Sequence, residues 1–175
     1  MPVNTRRLGR NLTRTRRSAG ENEASAALAS CLRRMLVVAL LVLTADWLSK
    51  AILLRLSPGS TIPHYTHPNP LAFLLVLAVA PLILRVINTR LMIVALGMSI
   101  GGCAGNLFER MLGVPVTDFI PLPHLLASPS CQVGHSCVLM CNVADLALWG
   151  SVPLLALAFV WHVLDNAGSR HSVTA

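Results

Sequence analysis

The sequence predicts an all-α integral membrane protein, with four transmembrane helices and short extracytoplasmic loop and β elements. Three observations predict it. The 175-residue chain is 54% hydrophobic and only 12% charged, whereas soluble domains carry about a quarter charged residues. Its mean hydropathy is +0.66. Its apolar residues fall in four blocks, each close to the ~20 residues that cross a bilayer as a helix.

Residues 1–34 come first. They hold eight of the 14 Lys and Arg, opposed only by Glu21 and Glu23, and so carry +6 of the net +7. A basic segment abutting an apolar block is the positive-inside pattern and puts this end in the cytoplasm. The segment has no aromatic residue on which a base can stack, so it reads as a disordered basic cytoplasmic tail and no nucleic-acid partner is expected. The apolar run after it ends in "ADWLSK" rather than at a small-residue cleavage site, so it reads as a span and not as a cleavable signal peptide. A translation start at Met35 is the alternative.

Residues 35–165 form the membrane domain. The expected spans are Met35–Leu54, Leu71–Ile87, Leu91–Leu107 and Val143–Val163. Arg85 and Arg90 flank the link between the second and third spans, which belongs inside. Residues 166–175 are then a second cytoplasmic tail. Two segments face outward. "RLSPGSTIPHYTHPNP" is rich in Pro, Gly and Ser and reads as a loop with short strands. The stretch from Met111 to Met140 has four prolines and reads as a loop or re-entrant segment. No internal repeat is present.

Ionisable residues gather at the outer end of this map. Asp46 and Lys50 are four apart on the first span, Asn106 and Arg110 four apart on the third, and Asn142 and Asp145 three apart on the fourth. Such spacings share a helical face. Asp118 lies in the outer loop. A charge at the centre of a membrane helix costs about 2.5–3.5 kcal/mol, so such residues turn inward, pair and mark function. Gly97, Gly101 and Gly105 at spacing four on the third span predict close helix packing. Asp118 and Asp145 are the candidate reactive pair. Two adjacent carboxylates share a proton, so one acts as acid and the other as base toward a water and a peptide bond. That chemistry needs no metal and no cofactor, and none is expected.

Four stretches together resemble the lipoprotein signal peptidase (signal peptidase II) family. "DWLSK" at Asp46–Lys50 is similar to its D-x-x-[ST]-K motif. "GGCAGNLFER" at Gly101–Arg110 is similar to GG-x-x-GN-x-x-DR. "VTDFI" at Val116–Ile120 is similar to VVDF, and "CNVAD" at Cys141–Asp145 to FN-x-AD. The resemblance implies a bacterial multi-pass enzyme of the cytoplasmic membrane, with both termini cytoplasmic and an aspartyl dyad, Asp118 and Asp145, near the outer face. Asn106, Arg110 and Asn142 would support the dyad or bind substrate, and Asp46 and Lys50 would hold the first span in the site. The implied substrates are prolipoproteins carrying diacylglycerol on a cysteine, cut just before it. Membrane lipids are the other expected partners, and a monomer is expected.

The chain departs from the family pattern in places. Glu109 stands where the motif has Asp, and Cys141 where it has Phe. "NPLAF", Asn69 to Phe73, is a shortened counterpart of an N-x-GAAF segment, with Asn69 as its supporting residue, and the outer region before it is short. Between Asp118 and Asp145 lie 26 residues, including Cys131 and Cys137. The plain reading of that pair is a disulfide. A zinc site with His135 and Cys141 is the sharper one, but the spacing fits no common zinc motif. These departures motivate a second expectation, a relative that binds lipoproteins or lipids without cleaving them. A transporter or scaffold is the third, ranked last because the inner halves of the spans are apolar.

Overall fold

A computed structural model describes residues 5–56, 62–64, 70–121 and 140–171. Helix α1, Thr5–Leu56, runs unbroken for 52 residues, about 78 Å at 1.5 Å per residue. It contains the whole first span and continues far beyond it. Residues 5–34, expected to be a disordered tail, are helical instead. The reason is local and tertiary. No proline interrupts the stretch, "EASAALASCLRR" is rich in strong helix formers, and Leu28, Cys31 and Leu32 pack against the core.

The other helices are α2, Leu71–Val86, α3, Arg90–Met111, and α4, Val143–His171. The last of these takes in residues 166–171, also expected in a tail. Helices α1, α3 and α4 are long and apolar enough to cross a membrane, and α2 is a shorter apolar helix. Among the described residues there are four short strands: β1, Ile62–His64, β2, Val116–Asp118, β3, Ile120–Pro121, and β4, Met140–Cys141.

Helix α3 is the central element and packs on the other three helices. Its glycines set the spacing. A Cβ on Gly97 would stand 2.8 Å from Met35 O, and one on Gly101 2.6 Å from Ala39 O, so α1 lies directly on this stripe. Gly102 faces α4 in the same way, with Ala144 O at 2.5 Å from its notional Cβ. The core of Met35, Ala39, Leu84, Ile87, Met92, Ile93, Leu96 and Ile100 fills the end of the bundle where α2 meets α3. The outer faces carry exposed Leu40, Leu41, Leu75, Leu82, Val152, Phe159 and Trp161. An apolar surface of this kind belongs in lipid.

The ends of α3 are chemically marked. Thr89 caps its start, accepting Met92 N–H at 3.2 Å. At the other end Gly113, with φ 69°, takes the left-handed conformation. Gly113 N–H donates to Arg110 O and Val114 N–H to Glu109 O, the Schellman pattern that stops a helix and redirects the chain. The chain then enters β2, which pairs antiparallel with β1, Asp118 opposite Ile62. Immediately afterwards β3 pairs with β4, Ile120 opposite Cys141. The expected outer loop is thus bounded by ladders. Cys131, His135 and Cys137 lie outside the described residues, as does Asn69.

Candidate functional site

The start of α4 organises the site. Asn142 is its N-cap residue: its Oδ1 accepts Asp145 N–H at 2.9 Å. Asp145 Oδ2 in turn accepts the Asn142 N–H at 3.2 Å. This is a reciprocal capping box, which satisfies donors that a helix N-terminus otherwise leaves unpaired. The Asn142 side-chain amide remains free to donate. It gives one hydrogen bond to Asp118 Oδ1 at 2.7 Å and another to Asn106 Oδ1 at 3.0 Å. The Asn106 amide then donates to Asp145 Oδ1 at 2.7 Å. Asn142, at the head of α4, therefore holds both aspartates, Asp118 through its side chain and Asp145 through its backbone, while Asn106 of α3 adds a second donor to Asp145.

Asp118 reaches this point because of the strands. Phe119 N–H donates to Cys141 O at 3.1 Å, and the β3–β4 ladder follows. The two ladder ends form a neck. The 26-residue separation between the aspartates therefore does not separate them in space.

A second ionic group lies beside the first. Lys50, buried, lies 2.6 Å from Asp46 Oδ2, a close ion contact rather than an aligned hydrogen bond, since that oxygen has no hydrogen-bond partner among the described residues. Lys50 Nζ also donates to Glu109 Oε2 at 2.8 Å and to Asn106 Oδ1 at 3.4 Å. Asp46 Oδ1 accepts Ala144 N–H at 2.9 Å, at the N-terminus of α4, where the helix dipole favours negative charge. Gly105 makes the convergence possible: a Cβ there would sit 2.9 Å from Asp46 Oδ2 and 3.1 Å from Ala144 Cβ. Lys50 and Arg110 sit by the last turn of α3, the dipole end that favours cations.

The structure brings Asp46, Lys50, Asn106, Glu109, Asp118, Asn142 and Asp145 into one connected network. Arg110 is at its edge, with a buried Nε that has no hydrogen-bond partner among the described residues. Cys141 is buried close to the two carboxylates. Burial, and then the Asp145 and Asp118 carboxylates, push its thiol pKa up, so it is a neutral filler at physiological pH.

Reading the sequence missed two supporting features. Gly102 makes the α3–α4 approach, one residue from the stripe that spacing identified. Ser99 Oγ donates to Ser151 Oγ at 2.8 Å across α3 and α4, and Ser151 Oγ donates to Leu148 O at 2.7 Å. Serines inside two apolar runs were the available signal.

Comparison with known proteins gives three findings. The profile of the family described as signal peptidase (SPase) II matches residues 65–161. No curated protein matches the chain. A solved structure described as "Bacterial membrane enzyme structure by the in meso method at 2.3 A resolution" is similar at 16% identity and a TM-score of 0.48, covering 74% of this chain and 88% of that one.

Proposed function

The chain belongs to the signal peptidase II family, and on that premise we propose that it is an aspartic endopeptidase of the bacterial cytoplasmic membrane. It removes signal peptides from diacylglyceryl-modified prolipoproteins, cutting before the lipidated cysteine. Asp118 and Asp145 are the catalytic pair. The observation that carries this reading is the position of Asn142. It donates to Asp118 through its side chain at 2.7 Å and to Asp145 through its backbone at 3.2 Å.

The pair carries one proton between its two carboxyl groups. The ionised carboxylate takes a proton from water as the water oxygen bonds to the scissile carbonyl carbon. The protonated partner gives its proton to the carbonyl oxygen. The neutral tetrahedral intermediate then collapses, the C–N bond breaks, and a proton passes to the leaving amine. Neither aspartate is singled out as base. Asn106 and Asn142 orient the carboxylates with donors, and Lys50 ties α1 to the same network. The site end faces outward, where a lipid-tethered peptide bond is presented, and both termini are cytoplasmic. The protein works as a monomer on its lipid-modified substrates.

Glu109 does not favour the non-cleaving reading. It is engaged by Lys50 at 2.8 Å, so the longer acid still meets the cation of the first span.

The test is a gel-shift assay in detergent with a diacylglyceryl-modified prolipoprotein, with and without globomycin. Wild type is expected to release the signal peptide in an inhibitor-sensitive way. Asp118→Asn and Asp145→Asn are each expected to lower turnover at least ~10²-fold with helical content unchanged. Cleavage by both variants at the wild-type rate would remove the dyad assignment.

A further inference from the structure

We propose that the end of the bundle opposite the carboxylates is a binding site for the headgroups of anionic phospholipids. Much of its lining comes from the part of α1 that the peptidase reading leaves without a task. Where this extension passes the end of α2 there is a cleft of about 410 Å³, lined by Glu21, Ser25, Leu28, Leu84, Arg85 and Asn88 among others. Its floor is apolar, through Leu28 and Leu84, and its rim is polar, through Ser25, Arg85 and Asn88. Glu21, the acid on the lining, is itself engaged in an interaction.

Arg85 lines this cleft, and three further arginines lie on the same end of α1 and α3. Arg33, Arg34, Arg85 and Arg90 are all exposed. Their depth follows from the glycine contacts. Gly97 lies against Met35 and Gly101 against Ala39, so α1 and α3 run parallel with residue 35 level with residue 97. At 1.5 Å per residue Arg90 is then level with about residue 28, and Arg33 and Arg34 stand about 8 Å further along the axis. Arginine side chains span such a distance by extending toward the interface. The four cations thus form one collar at the boundary of the apolar belt, with Arg6, Arg7, Arg10, Arg14, Arg16 and Arg17 further out on the same helix.

A phospholipid matches each part of this surface. Its phosphate meets the arginines, its glycerol ester region meets Asn88 and Ser25, and its acyl chain enters along Leu28 and Leu84. Clusters of four to eight Lys or Arg next to a membrane helix attract anionic lipid. An RNA would not use the apolar floor, and the extension offers it no aromatic platform.

The full chain is purified in detergent and titrated with phosphatidylglycerol or phosphatidylcholine of the same acyl chains, with binding read by native mass spectrometry. Phosphatidylglycerol is expected to bind the wild type more tightly. Each arginine contributes about fivefold, so Arg85→Gln with Arg90→Gln lowers its affinity about 25-fold and leaves phosphatidylcholine unchanged. Arg85→Lys with Arg90→Lys retains most of the preference. Equal binding of the two lipids by the wild type overturns the proposal, as does a preference that survives the double glutamine variant. A short RNA that binds the wild type more tightly than phosphatidylglycerol overturns it in favour of a nucleic-acid site. If the glutamine variant does not fold, the wild-type comparison and the lysine variant decide.

Discussion

At the residue scale, Asn142 does two jobs that are separable by mutation. It caps α4 through Oδ1 and holds Asp118 through its amide. Serine is as good an N-cap residue but has no amide to span the gap. Asn142→Ser is therefore expected to keep the cap but to lose two buried amide hydrogen bonds, costing about 1–3 kcal/mol in a thermal melt, while turnover of the folded protein falls about tenfold or more. Unchanged turnover in folded Asn142→Ser would show that the amide bridge is not needed. Lys50 is the opposite case, because removing it strands two acids. Asp46 and Glu109 both depend on it, and breaking a buried ionic group typically costs ~3–5 kcal/mol. Lys50→Met is expected to destabilise the protein by that order, and adding Asp46→Asn to recover part of it. A melting temperature unchanged in Lys50→Met would mean that water already serves the two carboxylates.

At the element scale, α3 is the part least tolerant of change, because both α1 and α4 meet it at glycine spacing. A Cβ at Gly102 would press into Ala144 O and Leu148 Cγ at 2.5 and 2.8 Å. Overpacking of this kind costs about 1–3 kcal/mol, and here it pushes on the helix whose first turn carries Asp145. Gly102→Ala is expected to lower the melting temperature and turnover together. Gly20→Ala is the control: nothing lies within 4 Å of its notional Cβ, and alanine is the better helix former by about 1 kcal/mol. It should melt at or above wild type. A Gly102→Ala protein as stable as that control would show that α3 and α4 can separate freely. The stripe at Gly97, Gly101 and Gly105 was legible as spacing, and so were the four apolar blocks. The reach of α1 to Thr5 was not, because its arginines read as solvent-loving while Leu28, Cys31 and Leu32 find a partner surface only in three dimensions. Strands of two or three residues carry no period to detect. The membership of the polar network was legible from i, i+3 and i, i+4 pairs on each helix. That Asp118 meets Asn142 was not, since it depends on the β3–β4 neck pairing residues some twenty positions apart.

At the scale of the whole molecule, the four helices do not match in length. Helix α3 has 22 residues, about 33 Å, whereas α2 has 16, about 24 Å. A typical hydrocarbon core is about 30 Å thick. The bundle therefore fits a thin or locally thinned bilayer, and the strain of a thick one falls on α2. That strain has a route to the site. The start of α2 comes only a few residues after β1 in the sequence, and β1 pairs with β2, whose last residue is Asp118. Drawing the start of α2 into a thicker membrane pulls on the strand that positions one of the two aspartates. Mismatch costs fractions of a kcal/mol per Å, enough over several Å to change turnover several-fold. Turnover measured in phosphatidylcholine vesicles of increasing chain length, from 14 to 22 carbons, is therefore expected to fall several-fold in the thickest bilayers. Helical content should stay constant, and Gly102→Ala should fall more steeply than wild type because its bundle is already strained. Turnover that is flat across the series would mean that the β1–β2 ladder moves independently of α2, and that the position of Asp118 is set by Asn142 and the β3–β4 neck alone.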